Sequence, residues 1–150
     1  MSTPPARILT DLKRRTVFLD SNVLLQFLKG KLDWLFSSAA LDRFNYAINP
    51  IVLQELLLHG HGSEFINRLT SLRRLTELLP IDPRQAEALL QHARELRNRT
   101  VHSNDLLILS SAADCDYFVS DDWALLAVGH GMRPKFLSSV ELEQLVEAKA

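Results

Sequence analysis

Apolar and polar positions fall into short blocks along the 150-residue chain, and their spacing switches repeatedly between strand-like and helical. Thr16 to Leu19 is a β-branched and aromatic run closed by Asp20, the pattern of a strand buried on both faces. Asn22 to Lys29 then places apolar residues at helical spacing and stops at Gly30, a residue suited to a helix terminus. A second helix is expected from about Leu32 to Leu41, followed by a strand at Tyr46 to Ile48. Asn49-Pro50, a capping residue followed by proline at the first helical position, opens a helix through IVLQELLL that Gly60 and Gly62 break. Ser63 to Arg73 is amphipathic and Leu75 to Leu79 strand-like, while Asp82-Pro83 starts a helix to about Asn98. Ser103 is placed to cap Asn104 to Ala113. Tyr117 to Val119 and Lys135 to Leu137 complete the strands, and Ser138 with Glu141 forms a capping box for the last helix.

Strands alternating with helices of this length imply βα units. The expected architecture is a single α/β domain over residues 1–150, a three-layer α/β/α fold with a parallel sheet of four or five strands. A polar leader covers residues 1–15, and no internal repeat or low-complexity tract divides the chain.

In parallel sheets, ligands bind beyond the carboxyl ends of the strands. The residues expected there are acidic. Asp20 ends the first strand, and Asp121 and Asp122 follow the fourth across Ser120. Glu55 lies early in the helix after the second strand, sharing a face with Ile51, Val52 and Leu58 by helical spacing. Asp105 similarly shares a face with Ile108, Leu109 and Ala112. Each acid alone has a structural reading as a cap, a turn residue or half of an ion pair. Together they would repel one another, and divalent cations are the simplest compensation. Oxygen ligands without His or Cys favour Mg²⁺ or Mn²⁺. A carboxylate-held metal pair can clamp the attacking and leaving oxygens of a phosphodiester, so no nucleophilic side chain is required.

Composition refines this picture. With 17 Lys and Arg against 18 Asp and Glu, the net charge is −1, which by itself argues against holding nucleic acid by bulk positive charge. Setting aside five clustered acids leaves 13 against 17 basic residues, a mildly basic remainder around an acidic pocket. The single cysteine and the absence of any long apolar run lead to the expectation of a cytoplasmic protein without a membrane span.

The ordered set VFLDSNVLLQFL (Val17–Leu28), NPIVLQELL (Asn49–Leu57) and NDLLILSSAADCDYFVSDDWALL (Asn104–Leu126) resembles PIN-domain ribonucleases, and the single-domain size is similar to VapC-type toxins. The resemblance covers almost the whole chain after the leader. It implies a metal-binding quartet of Asp20, Glu55, Asp105 and Asp122, with Asn22 and Ser120 orienting an acid or a water. It also implies RNA as substrate, products with 5′-phosphate and 3′-hydroxyl ends, a homodimer and, for a toxin, inhibition by an antitoxin protein. The chain departs from the family pattern at Ala124, where many members carry an acid or amide; Asp121 is the candidate replacement.

Other residues invite chemistry. His59 and His61 in a glycine-punctuated turn read as loop residues more readily than as ligands, and His102 beside Ser103 is a candidate substrate neighbour. Trp123 could pack against the fold or stack on a base. Arg73 and Arg74 are candidate phosphate contacts, as are Lys13 to Arg15, Arg68, Arg94, Arg97 and Arg99, although basic runs commonly form solvated faces. Cys115 lies between Asp114 and Asp116, which disfavours a thiolate. Two rival readings remain. A phosphoacceptor receiver domain needs a lysine just after its last strand, whereas Lys135 begins that strand; a PIN-like module could bind RNA or protein without cleaving.

Overall fold

Val17, Phe18 and Leu19 are completely buried, as the middle strand of a parallel sheet covered on both faces requires. They belong to β1 (Arg15–Leu19), which pairs in parallel with β2 (Phe44–Ile48) on one side and β4 (Tyr117–Val119) on the other. In the computed structural model, which describes residues 14–95, 103–129 and 133–148, β3 (Thr76–Leu78) and β5 (Lys135–Leu137) complete a five-stranded sheet of order β3-β2-β1-β4-β5. All four pairings are parallel. The chain is thus an α/β/α fold with five strands, the upper of the two expected numbers.

The helices are α1 (Ser21–Leu28), α2 (Ser38–Arg43), α3 (Pro50–His59), α4 (Ser63–Arg74), α5 (Pro83–Glu95), α6 (Ser103–Ser110), α7 (Trp123–Val128) and α8 (Ser139–Glu147). Their contacts form two sets: α3 touches α1 and α6, α4 touches α1, and α5 touches α6, while α2 touches α8. Phe18 and Phe118 stack at 5.7 Å between ring centres in the core beneath them.

Several boundaries differ from the expectation, each for a local reason. The helix expected over 32–41 divides into a 3-10 turn at Asp33–Phe36 and α2, because extended Ser37 caps a fresh start by accepting from the Ala40 N–H at 3.3 Å. Gly30, at φ +90, lies one residue beyond the Lys29 cap of α1, in the left-handed region that favours glycine. β2 begins two residues earlier than its sequence suggests, and α6 ends at Ser110 rather than Ala113. Helix α7 has no counterpart among the expected elements; it is six residues long and held by a cap that only the site reveals. The capping box of α8 is present as expected. The leader through Lys13 and residues 96–102, with Arg97, Arg99 and His102 among them, lie outside the described residues.

β1 marks the point where strand order reverses. The chain runs outward from β1 through β2 to β3, then returns to the other side of β1 with β4. A crevice beyond the carboxyl ends of β1 and β4 is where such a sheet binds its ligand. Lys135 pairs with Tyr117 at the starts of β5 and β4, so it stands at the other end of the strand from that crevice. The receiver-domain reading fails on this placement.

Candidate active site

Leu19 and Val119 are register partners, so the residues that follow them emerge side by side. The Asp20 N–H continues the ladder by donating to the Val119 carbonyl at 2.9 Å. Its side chain is only 4% exposed. One oxygen, Oδ1, accepts the Ser21 N–H at 2.8 Å; the other, Oδ2, accepts Ser120 Oγ–H at 2.7 Å and Asn22 Nδ2–H at 3.3 Å. Burial pushes the Asp20 carboxyl up from 3.8 to about 7. The bonds from Ser120 and Ser21 oppose that rise, and the nearby charges of Asp105 and Glu55 add to it.

Glu55 comes within electrostatic reach of Asp20 from α3, whose start is fixed by Asn49. The fully buried Asn49 accepts the N–H groups of Ile51 and Val52 through Oδ1 at 3.1 and 3.0 Å. Its Nδ2 donates to the Leu107 carbonyl and Ser111 Oγ, both at 3.0 Å. One side chain therefore joins the helix carrying Glu55 to α6, the helix carrying Asp105. Ser21 Oγ donates to Glu55 Oε1 at 2.7 Å. Ile108, Leu109 and Ala112 are buried as the face of Asp105 predicts, but Leu58, expected inward beside Glu55, is 75% exposed. Val52 and Leu56 supply the buried stripe of α3 instead.

Ser120 and Asn22 bond to Asp20 and to the backbone of the Asp121-Asp122 pair. Besides holding Asp20, Ser120 Oγ accepts from Asn22 Nδ2 at 3.2 Å and from the Asp122 N–H at 3.1 Å, and Asn22 Oδ1 accepts the Asp121 N–H at 3.1 Å. Asp122 caps α7 with Oδ1, accepting from Ala124 and Leu125 at 2.9 and 3.4 Å. Asp121 has both oxygens engaged within the fold. Oδ1 accepts the Ser139 N–H and Oδ2 accepts Ser139 Oγ–H and Gln26 Nε2–H, each at 2.8 Å, so Asp121 bridges α1 and the start of α8.

Ser21, Gln26 and Ser139 are the members of this network that sequence reasoning passed over. Ser21 is the variable position of Asp-x-Asn, and the partners of Gln26 and Ser139 lie 95 and 18 residues away. No local pattern announces such contacts.

The remaining candidates disperse. His59 is exposed, with Nδ1 2.8 Å from the Glu55 carbonyl one turn earlier, and His61 is exposed in the following turn. Arg73 and Arg74 are exposed at the end of α4. Arg74 lines a cavity of about 500 Å³ with Thr16, Asn45 and Thr76, at the starts of the strands and away from the acids. Arg68 lies over the Phe27 ring at 4.8 Å and donates to the Phe27 carbonyl at 2.6 Å, beside an apolar cavity of about 310 Å³. Trp123 follows Asp122 directly and is 82% exposed. Burial, then Asp116, Asp114 and Glu77, pushes the Cys115 thiol up to about 11, so it is no nucleophile.

Among the described residues no three His, Cys, Asp or Glu side chains form a ready-made ion cage. The donor chemistry nevertheless fits a hard cation. A buried carboxylate with two further acids in electrostatic reach is an all-oxygen environment, the donor chemistry that a hard cation takes.

A family model described as PIN domain matches residues 17–129. No curated protein matches the chain significantly. Similar solved folds include VapBC2 from Rickettsia felis bound to a DNA fragment from their promoter (TM-score 0.65, 16% identity, 82% of this chain and 98% of that one). VapBC-5 from Mycobacterium tuberculosis, a member of the VapBC family of toxin-antitoxin systems, superposes with TM-score 0.59 at 23% identity over 83% of this chain and 98% of that one. PAE2754 from Pyrobaculum aerophilum gives 0.56 at 16% identity over 90% and 91%. These likenesses reach the fold, whereas the family match spans β1 to the end of α7 and with it every acid of the site. The chain belongs to the PIN domain family.

Proposed function

We propose that this protein is a Mg²⁺- or Mn²⁺-dependent endoribonuclease and the toxin of a toxin-antitoxin pair. The observation that carries the nuclease reading is Asp20, a buried carboxyl raised to about 7 at the strand-order reversal, with Asp105 and Glu55 crowding it. Family membership supports nucleic-acid hydrolysis, and the two VapBC neighbours support the toxin role.

Asp20, Glu55, Asp105 and Asp122 are the residues that would hold the ion. Bound there, it supplies charge neutralisation at the scissile phosphate and a more acidic attacking water. The protein's own part is to keep the acids in place beforehand. Ser120 and Asn22 hold Oδ2 of Asp20, Ser21 holds Oε1 of Glu55, and Asn49 ties together the two helices that carry Glu55 and Asp105. Asp121, with both oxygens committed to α1 and α8, acts as a brace for the loop that presents Asp122. Partners on this reading are an RNA substrate, a second copy of the chain and an antitoxin protein.

Purified protein should cleave labelled RNA with Mg²⁺ or Mn²⁺ and stop in EDTA, while Asp20→Asn and Asp105→Asn should each lower the rate at least about 100-fold. Cleavage that persists in EDTA or in both variants would sink the metal-dependent reading. RNA binding without cleavage under any divalent ion would make the chain a non-catalytic PIN-like module. Induced expression should arrest growth of a bacterial host, and Asp20→Asn should relieve the arrest.

A further inference from the structure

Trp is the side chain with most apolar area to bury, yet Trp123 is 82% exposed. A loose loop does not account for this. The Asp121 and Asp122 N–H groups are bonded to Asn22 Oδ1 and Ser120 Oγ, and the Asp121 carboxylate is bonded to Gln26 and Ser139. Asp122 caps the helix that Trp123 begins. Leu125 and Val128 on that helix are fully buried, so α7 is pinned with its opposite side outward. Ala127, one turn beyond Trp123 and also exposed, is too small to cover the indole. Among the described residues no aromatic ring or guanidinium is seen packing on it.

The surroundings say what such a ring would meet. A protein-binding patch is a contiguous apolar area. The loop carrying Trp123 consists of Ser120, Asp121 and Asp122, braced by Asn22, Gln26 and Ser139, all polar; Val140, next to Ser139, adds one exposed apolar side chain. A lone aromatic ring carried on a pinned helix start in a polar rim, one residue from an acid of the candidate site, suits a nucleobase, whose faces are apolar and whose edges are hydrated.

We propose that Trp123 is a stacking platform for an unpaired base beside the phosphate presented to the acidic site. The proposal rests on the nuclease reading for the position of that phosphate. It makes Trp123 a specificity-determining residue that selects unstacked over base-paired strands.

The test uses a Trp34→Phe background, which leaves Trp123 as the chain's one indole. Rapid mixing with a short single-stranded RNA in Mg²⁺ should quench its emission before turnover, and the same RNA annealed to its complement should not. Trp123→Ala should weaken single-strand affinity, read by anisotropy of labelled RNA, roughly 5- to 150-fold. KM should rise by the same factor with kcat within about twofold, and Trp123→Phe should recover most of the loss. Thermal melting of both variants should match the parent, since the side chain is exposed. Affinity and KM within about twofold of the parent in Trp123→Ala would overturn the proposal. Quenching without any cleavage by the parent would leave stacking standing and remove the nuclease reading. Absence of both quenching and RNA binding would remove both.

Discussion

At the scale of single residues, Asp20 couples stability to pH. Its carboxyl titrates near 7 in the folded protein, against 3.8 unperturbed, chiefly because it is buried. Between those values the folded state keeps a proton that the unfolded chain has released, so stability falls as pH rises from about 4 to about 7. If the whole shift is expressed, the loss approaches roughly 4 kcal/mol. Urea unfolding in EDTA across this range should therefore show a declining midpoint for the parent and a flatter profile for Asp20→Asn. Coincident profiles would show that Asp20 is not the group responsible. That Asp20 and Asp122 stand just past strand ends was legible in the sequence, because the apolar run marks where each strand stops. The role of Asp121 was not, since its partners on α1 and α8 are set by the fold.

At the scale of elements, Asn49 has the largest structural task for its size. It caps α3 with its oxygen and reaches α6 with its nitrogen, all from a fully buried position. Asn49→Ala removes a cap worth about 1 kcal/mol. It also removes the bonds to Leu107 and Ser111, at about 0.5–1.5 kcal/mol each, although the Leu107 carbonyl keeps Ser110 Oγ and Ser111 Oγ keeps the Pro80 carbonyl. Chemical denaturation should report a total loss of roughly 2–4 kcal/mol, with residual activity falling further because Glu55 and Asp105 lose their common tether. A loss below about 1 kcal/mol would mean the helices hold their spacing without it. The capping role follows from Asn-Pro in the sequence; the tether to α6 does not, because Leu107 and Ser111 lie 58 and 62 residues away. Helix α7 escaped notice for a related reason. A six-residue segment has little periodicity to display, and it is secured by the Asp122 cap and by burial of Leu125 and Val128.

For the whole molecule, the candidate acids stand past the strand ends around β1 and β4, while Arg74 lies toward the strand starts, in a cavity it shares with Asp42 and Glu77. A divalent cation bound only by the folded state should stabilise it by about 2.7 kcal/mol at a concentration 100 times its Kd. For a chain of this length, that corresponds to a rise in melting temperature of roughly 5–11 °C. Differential scanning fluorimetry should show this rise with Mn²⁺ or Mg²⁺ for the parent and little of it for Asp20→Asn; equal shifts would place the ion elsewhere. RNA contacts by Arg73 and Arg74, plausible from their basic run, would require the strand to extend from the acidic crevice toward the starts of the strands.

The sequence alone determined the alternation of strands and helices, the parallel sheet, and which acids stand at its carboxyl edge. Those properties are encoded locally, in the period of apolar residues and in the residue that follows each buried run. Tertiary structure decided which polar side chains serve those acids. Ser21, Asn22, Gln26, Asn49, Ser120 and Ser139 take their partners across gaps of up to 100 residues. Tertiary structure also separated Trp123, left bare beside the acids, from a core residue of identical chemistry. The fold brings Leu125 and Val128 inward around the same short helix, and that rotation is set by packing partners no neighbour in sequence can specify.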